Sequence, residues 1–131
     1  LRPTRIEGAN RIYGTRVLLA ESTVRAAGTE IETRELDAIA VKGKTEPTRI
    51  FEFLGVAGQG SEPASRLRDR HRDALTAYRA QDWGLAETGF RECLELQPND
   101  GPSTLMLGRI AAFRVRPSDA GWDGVWRLSE K

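Results

Sequence analysis

The chain predicts an α+β fold class followed by an all-helical segment, and three observations predict it. Across residues 34–54 the apolar positions alternate with a period of two on both sides of a short basic turn. Past Ala64 the period lengthens to that of a helix, with Leu67, His71, Ala74, Leu75 and Tyr78 on one stripe. Between the two regimes runs a stretch rich in turn formers: Gly55, Gly58, Gly60, Ser61, Pro63 and Ser65.

The first helix is expected over residues 2–13, where Ile6, Ala9, Ile12 and Tyr13 share a face. Pro3 suits only its first turn, whose N–H has no partner to lose, and Gly14 stops it. Residues 16–20 follow as a short strand, Val17-Leu18-Leu19 being a continuous apolar run suited to a buried sheet position. Glu21–Ala27 reads as a second helix, started at Ala20 or Ser22 and ended by Gly28. Residues 29–36 alternate Ile31, Thr33 and Glu35 against Glu30, Glu32 and Arg34, and lead into the hairpin. Its turn is Val41-Lys42-Gly43-Lys44-Thr45-Glu46-Pro47, and residues 48–54 return as the partner strand.

Helix, strand, helix, strand, strand in about sixty residues bury too little surface for a good core. This part therefore reads as the back half of a larger α+β sandwich. Residues 1–55 form that portion, 56–64 a linker, and 65–131 a helical tail with a tryptophan-rich end.

In the tail, Gln81-Asp82 marks a turn after the first stripe, and Trp83, Ala86, Phe90, Cys93 and Leu94 form the next, ending at Pro98. Two helices would bury these stripes against each other. The spacing of Ala74, Ala86, Phe90, Cys93 and Pro98 resembles one tetratricopeptide repeat. A third helix then starts, with Asp100 or Gly101 as its cap and Pro102 in its first turn. Leu105, Met106, Ile110 and Phe113 give it an apolar face, and Trp122, Val125 and Trp126 remain available to pack.

Composition narrows the function. Twenty basic residues stand against nineteen acidic ones, a net charge of +1, and neither half is a polyelectrolyte. No basic field argues for nucleic acid. The single Cys93 excludes an internal disulfide and fits a reducing, cytoplasmic compartment. No apolar run reaches membrane-spanning length and no signal peptide is visible. The chain opens on Leu1 rather than methionine, which leads us to expect a fragment whose parent could carry an upstream anchor.

Two residues invite chemistry and are better read as core. His71 is the only histidine and lies on an apolar stripe, without a second histidine or a Cys-x-x-Cys to share a metal. Cys93 is a small core hydrophobe before it is a nucleophile. Gly43-Lys44-Thr45 resembles the end of a phosphate-binding P-loop, but that motif needs a glycine where Ala38 stands, and Pro47 prevents a helix from following promptly.

Three stretches carry a more specific likeness. Arg5-Ile-Glu-Gly-Ala-Asn-Arg-Ile-Tyr-Gly-Thr-Arg-Val-Leu-Leu-Ala-Glu-Ser-Thr, Arg34-Glu-Leu-Asp and Val41-Lys-Gly-Lys-Thr-Glu-Pro-Thr-Arg-Ile-Phe-Glu-Phe-Leu-Gly resemble, in order, the final third of class III adenylate and guanylate cyclase catalytic domains. The resemblance implies a ferredoxin-like cyclase domain that converts ATP to cAMP and pyrophosphate with Mg²⁺ or Mn²⁺, in a bacterial-type head-to-tail homodimer. The preference for ATP over GTP rests on family frequency alone.

Residue by residue, the likeness implies that Arg5 is the arginine that stabilises the transition state at the α-phosphate. A guanidinium can take two phosphoryl oxygens at once. Lys42 matches the lysine that contacts the triphosphate. Lys44 has no comparable role, and Leu1 stands where the family has an asparagine. The family's two metal-binding aspartates and its purine-reading residues lie upstream of this sequence. No metal is therefore expected on this fragment, and no cyclic nucleotide from it alone.

The helical tail admits two roles: a cap that fills its own groove with Trp122 and Trp126, or a docking or dimerisation module for a protein partner. A non-enzymatic interaction protein built on a degenerate cyclase remnant is the competing class. A similar tryptophan-rich ending follows the catalytic domain in some bacterial cyclases.

Overall fold

A computed structural model describes residues 17–40, 47–58, 61–117 and 121–127 of the chain. The helix expected over residues 2–13 and the turn residues 41–46 lie outside the described residues. Among the described residues four strands and four α-helices follow in order: β1 (Leu18–Ala20), α1 (Glu21–Ala27), β2 (Ile31–Ala40), β3 (Thr48–Val56), α2 (Glu62–Arg79), α3 (Trp83–Leu96), α4 (Gly101–Val115) and β4 (Trp126–Arg127), with one 3-10 turn, Gly28–Glu30, between α1 and β2. The fold is α+β, as the two periodicities predict.

β1, β3 and β2 form an antiparallel sheet, and the two-residue β4 adds in parallel to the other edge of β2, giving the order β1-β3-β2-β4. The β4 strand is a departure from the sequence reading, which left Trp126 simply available to pack. Two residues carry too little alternation to register as a strand. Their pairing, Ile39 with Trp126 and Ala40 with Arg127, depends on the tail being folded back over the sheet.

Local signals explain the helix bounds. α1 ends at Gly28, whose φ of +62° is the left-handed conformation a glycine adopts without steric cost. α2 begins at Glu62, two residues before the expected Ala64, because the Ser61 hydroxyl accepts from the Ala64 amide at 3.2 Å and Pro63 sits in the first turn. Asp82 caps α3, and Asp100 rather than Gly101 caps α4.

Two apolar clusters hold the molecule. Ala74, Leu75, Tyr78, Ala86, Phe90, Met106 and Ile110 join α2, α3 and α4, with Trp83, Phe113 and Trp122 packed against them. Leu18, Leu36, Ile39 and Ile50 form the sheet's own cluster, and Leu105 of α4 and Trp126 of β4 pack onto it. The three-stranded sheet, too small to close a core alone, thus borrows apolar surface from the tail. The two tryptophans expected to fill one groove divide between these clusters: Trp122 goes to the helices, Trp126 to the sheet.

Candidate functional site

The β2–β3 hairpin brackets the basic turn, and Ile39 opposite Thr48 is its last described rung. Lys42 and Arg5, the two residues the sequence singles out, lie outside the described residues, as do Lys44 and Leu1. What the structure describes is the root of the hairpin and the described residues packed against it.

That root is organised by a bulge. Glu35 pairs with Phe51 and Asp37 with Ile50, which leaves Leu36 as the extra residue on β2. A bulge of this kind resets the alternation of side chains between the two faces. Arg34 and Leu36 point into the core before it, Asp37 and Ile39 after it, and all four are at most 3% exposed. The alternation that a straight strand would keep is therefore broken, and two opposite charges lie in the same interior face.

Each charge meets a partner from the tail. Arg34 donates from Nη1 to Asp100 Oδ2 at 2.9 Å and from Nη2 to Asp100 Oδ1 at 2.8 Å. Its Nε and Nη2 also reach Glu52 Oε1 across the strand pair, at 3.0 and 2.6 Å. Burial opposes the charge on Arg34, but Asp100 and Glu52 more than offset it and raise the guanidinium's pKa. Asp100 in turn accepts from the Ser103 hydroxyl at 2.6 Å and from the Ser103 amide at 3.3 Å, as the cap of α4. Burial would raise the Asp100 carboxyl, but the Arg34 hydrogen bond and charge, with Ser103, leave it lowered.

The second pair is Asp37 with Arg109 of α4, joined by a short hydrogen bond from Nη1 to Oδ2. The Ala38 amide also donates to Asp37 Oδ1 at 2.8 Å. Arg109 lies over the Trp126 ring, 4.0 Å from its centroid, so one guanidinium touches both β2 and β4. Tyr78 packs beside this pair, and burial foremost pushes its hydroxyl up to about 12.

His71 sits wholly buried on α2, edge-on to Phe90 with ring centroids 5.2 Å apart. Neither ring nitrogen makes a hydrogen bond of good geometry, although the nearby Leu36 backbone slightly favours protonation. Burial first, then Arg34, lower its pKa to about 3. It is a neutral core group, as its place on an apolar stripe implies. Cys93 is also buried, and burial pushes its thiol up to about 11.

An open cleft of about 280 Å³ lies at the hairpin root, where Ala38, Pro47 and Arg49 meet Arg79 of α2 and Val125. Its charges are mixed: Arg49 and Arg79 both reach Glu35, at 3.6 and 3.0 Å, and Glu21 and Asp123 complete the lining. Among the described residues no group of three or more His, Cys, Asp or Glu side chains could hold a metal ion, so they do not fit a two-metal centre. No helix among them is long and apolar enough to cross a membrane.

Sequence reading passed over Asp37, Asp100 as an ion partner, and Arg109. A signal was present in Arg34-Glu-Leu-Asp, where charges of both signs interrupt an otherwise apolar strand. Nothing local marks the partners, because they lie 66 and 72 positions away.

No described protein family matches the chain, and no solved structure does. The chain is similar to the terminal-differentiation specific adenylate cyclase of Dictyostelium discoideum, at 26% identity over 110 residues. The match takes in 81% of this chain and 5% of that much longer protein. Wherever it begins, a match of that extent includes the β2–β3 hairpin together with α2 and α3. The likeness thus runs across both the sheet and the helical tail, and marks a distant relationship to adenylate cyclase.

Proposed function

We propose that this chain is the closing part of a class III adenylate cyclase catalytic domain, residues 1–55, joined through residues 56–64 to a tetratricopeptide-like extension, residues 65–131. The observation that carries the reading is the run from Val41 to Gly55. Its residues 48–55 return along β3, paired antiparallel with β2, and residues 41–46 lie between the two strands in the sequence. The distant adenylate cyclase relative, matching across most of the chain, supports it.

In this reading Lys42 grips the triphosphate of ATP from the turn, as a compact point charge suited to phosphate. Arg5 meets the charge that develops at the α-phosphate, where fixed cations gain most rate. The parent works as a head-to-tail homodimer. Mg²⁺ or Mn²⁺ would supply activation of the ribose hydroxyl and charge neutralisation, held by the family's metal-binding aspartates, which belong upstream of the matched motifs.

The test is direct. The parent protein, expressed from the full reading frame, forms cAMP from ATP, and the purified 131-residue chain does not. A parent that forms no cyclic nucleotide with either Mg²⁺ or Mn²⁺ contradicts the proposal and favours a purely structural or docking role.

A further inference from the structure

We infer that α2 and α4 form a recognition surface for one extended four-residue segment, and that its occupant is Arg34-Glu35-Leu36-Asp37 of the same chain. The helical tail is thus an internal receptor for β2, closed to a separate protein partner for as long as β2 stays in place. The inference stands on geometry and does not draw on the cyclase reading.

The tail meets the four residues one by one. Arg34 joins Asp100, the cap of α4, through two hydrogen bonds of 2.9 and 2.8 Å. Glu35 accepts from Arg79 of α2 at 3.0 Å. Leu36, fully buried, belongs to the cluster onto which Leu105 of α4 packs. Asp37 binds Arg109, about two and a half turns along α4 from Asp100. The bulge at Leu36 is what turns Arg34 and Asp37 to the same side of the strand.

The surface specifies an order of charge. Asp100 and Arg109 are 6% and 4% exposed, so each strongly favours a partner of opposite sign. A strand three residues out of register would set Arg34 against Arg109, or Asp37 against Asp100, with like charges held out of water. A slip of one residue would turn its buried side chains to the other face. The segment that fits is therefore extended, with a cation first, an apolar residue between, and a carboxylate three positions after the cation. Emptying the surface would cost both ion pairs at once, so a bound strand is its stable state.

The chain presents β2 to this surface over a short connection. β3 ends at Val56 and α2 begins at Glu62. The Ala57 amide donates to the Glu30 carbonyl at 2.9 Å, and the Gly58 amide to the Glu32 carboxylate at 3.1 Å. Attachment at that range gives β2 a high effective concentration and favours it over a free peptide.

The experiment uses the 131-residue chain and a synthetic peptide of residues 31–40. Arg34→Glu combined with Asp37→Lys sets like charges against Asp100 and Arg109 and so expels β2 from the surface. Hydrogen exchange along α4, residues 101–115, is the readout. Excess peptide should slow exchange there at least about tenfold in the double variant, whether or not the helices stay folded without a strand. A control peptide with the arginine and the aspartate exchanged should slow it less than about twofold, and the unsubstituted chain should respond to neither peptide. No protection of the double variant by the native peptide, or equal protection by both peptides, overturns the recognition surface. An unsubstituted chain that takes up the native peptide as readily as the variant overturns its occupancy by β2.

Discussion

Arg34 and Asp100, 66 positions apart in the chain, face each other in a buried two-point hydrogen-bonded ion pair. Asp100 is at once the cap of α4 and the counter-ion of β2. A helix start and a sheet charge therefore depend on the same carboxylate, and the sheet and helical tail are coupled where they meet.

Removing Arg34 should be costly. Arg34→Met leaves Asp100 buried without its cation and Glu52 without its cross-strand partner. We expect a loss of about 3–5 kcal/mol in urea unfolding. Adding Asp100→Asn, which removes the stranded charge, should cost less than the sum of the two single changes. Strict additivity would show that the two side chains do not act as a pair.

Acid should weaken the fold in two stages. His71 has a folded pKa of about 3, below its ordinary value of 6.5, so the unfolded chain binds the extra proton between those values. Its contribution is fully present above pH 6.5 and is lost as pH falls toward 3. The groups facing it are Arg34 from β2, Asp100 at the start of α4 and Arg79 from its own helix. Asp100, also lowered, adds a second loss as pH falls below 3.8. Unfolding free energy should thus drop by about 1.4 kcal/mol per pH unit between pH 6 and 4, and His71→Leu should flatten that slope. An equal slope in the variant would remove His71 from the account.

The crossing of α2 and α3 has no room for a methyl group. A Cβ added at Gly89 would lie 2.6 Å from the Ala74 Cβ and 3.1 Å from its Cα. Gly89→Ala should therefore destabilise by about 1–3 kcal/mol through overpacking. Gly108, within α4, has nothing within 4 Å of its added Cβ. Gly108→Ala should instead stabilise by about 0.5–1 kcal/mol, the ordinary helix-propensity gain. Thermal unfolding of both variants reads the contrast, and similar shifts in the same direction would contradict it.

Periodicity made most of the fold legible. The two stripes of α2 and α3, the helix α1 with its Gly28 stop, and the hairpin strands all announce themselves within a few residues. Arg34 and Asp37 did not, because a bulge at Leu36 shifts which residues face inward, and bulges leave no mark in simple alternation. β4 was also hidden, since its pairing depends on where three helices place the chain end. For the proposed site the asymmetry runs the other way: motif likeness singled out Lys42 and Arg5, and both lie outside the described residues.

The central claim is that the turn carrying Lys42 grips ATP. Steady-state cAMP formation by the full-length parent, with and without Lys42→Ala, tests it most directly. The account predicts a KM for ATP raised by about tenfold or more, the loss of one phosphate-binding cation, with the variant folded as judged by an unchanged melting temperature. A variant with unchanged KM and unchanged kcat would contradict it.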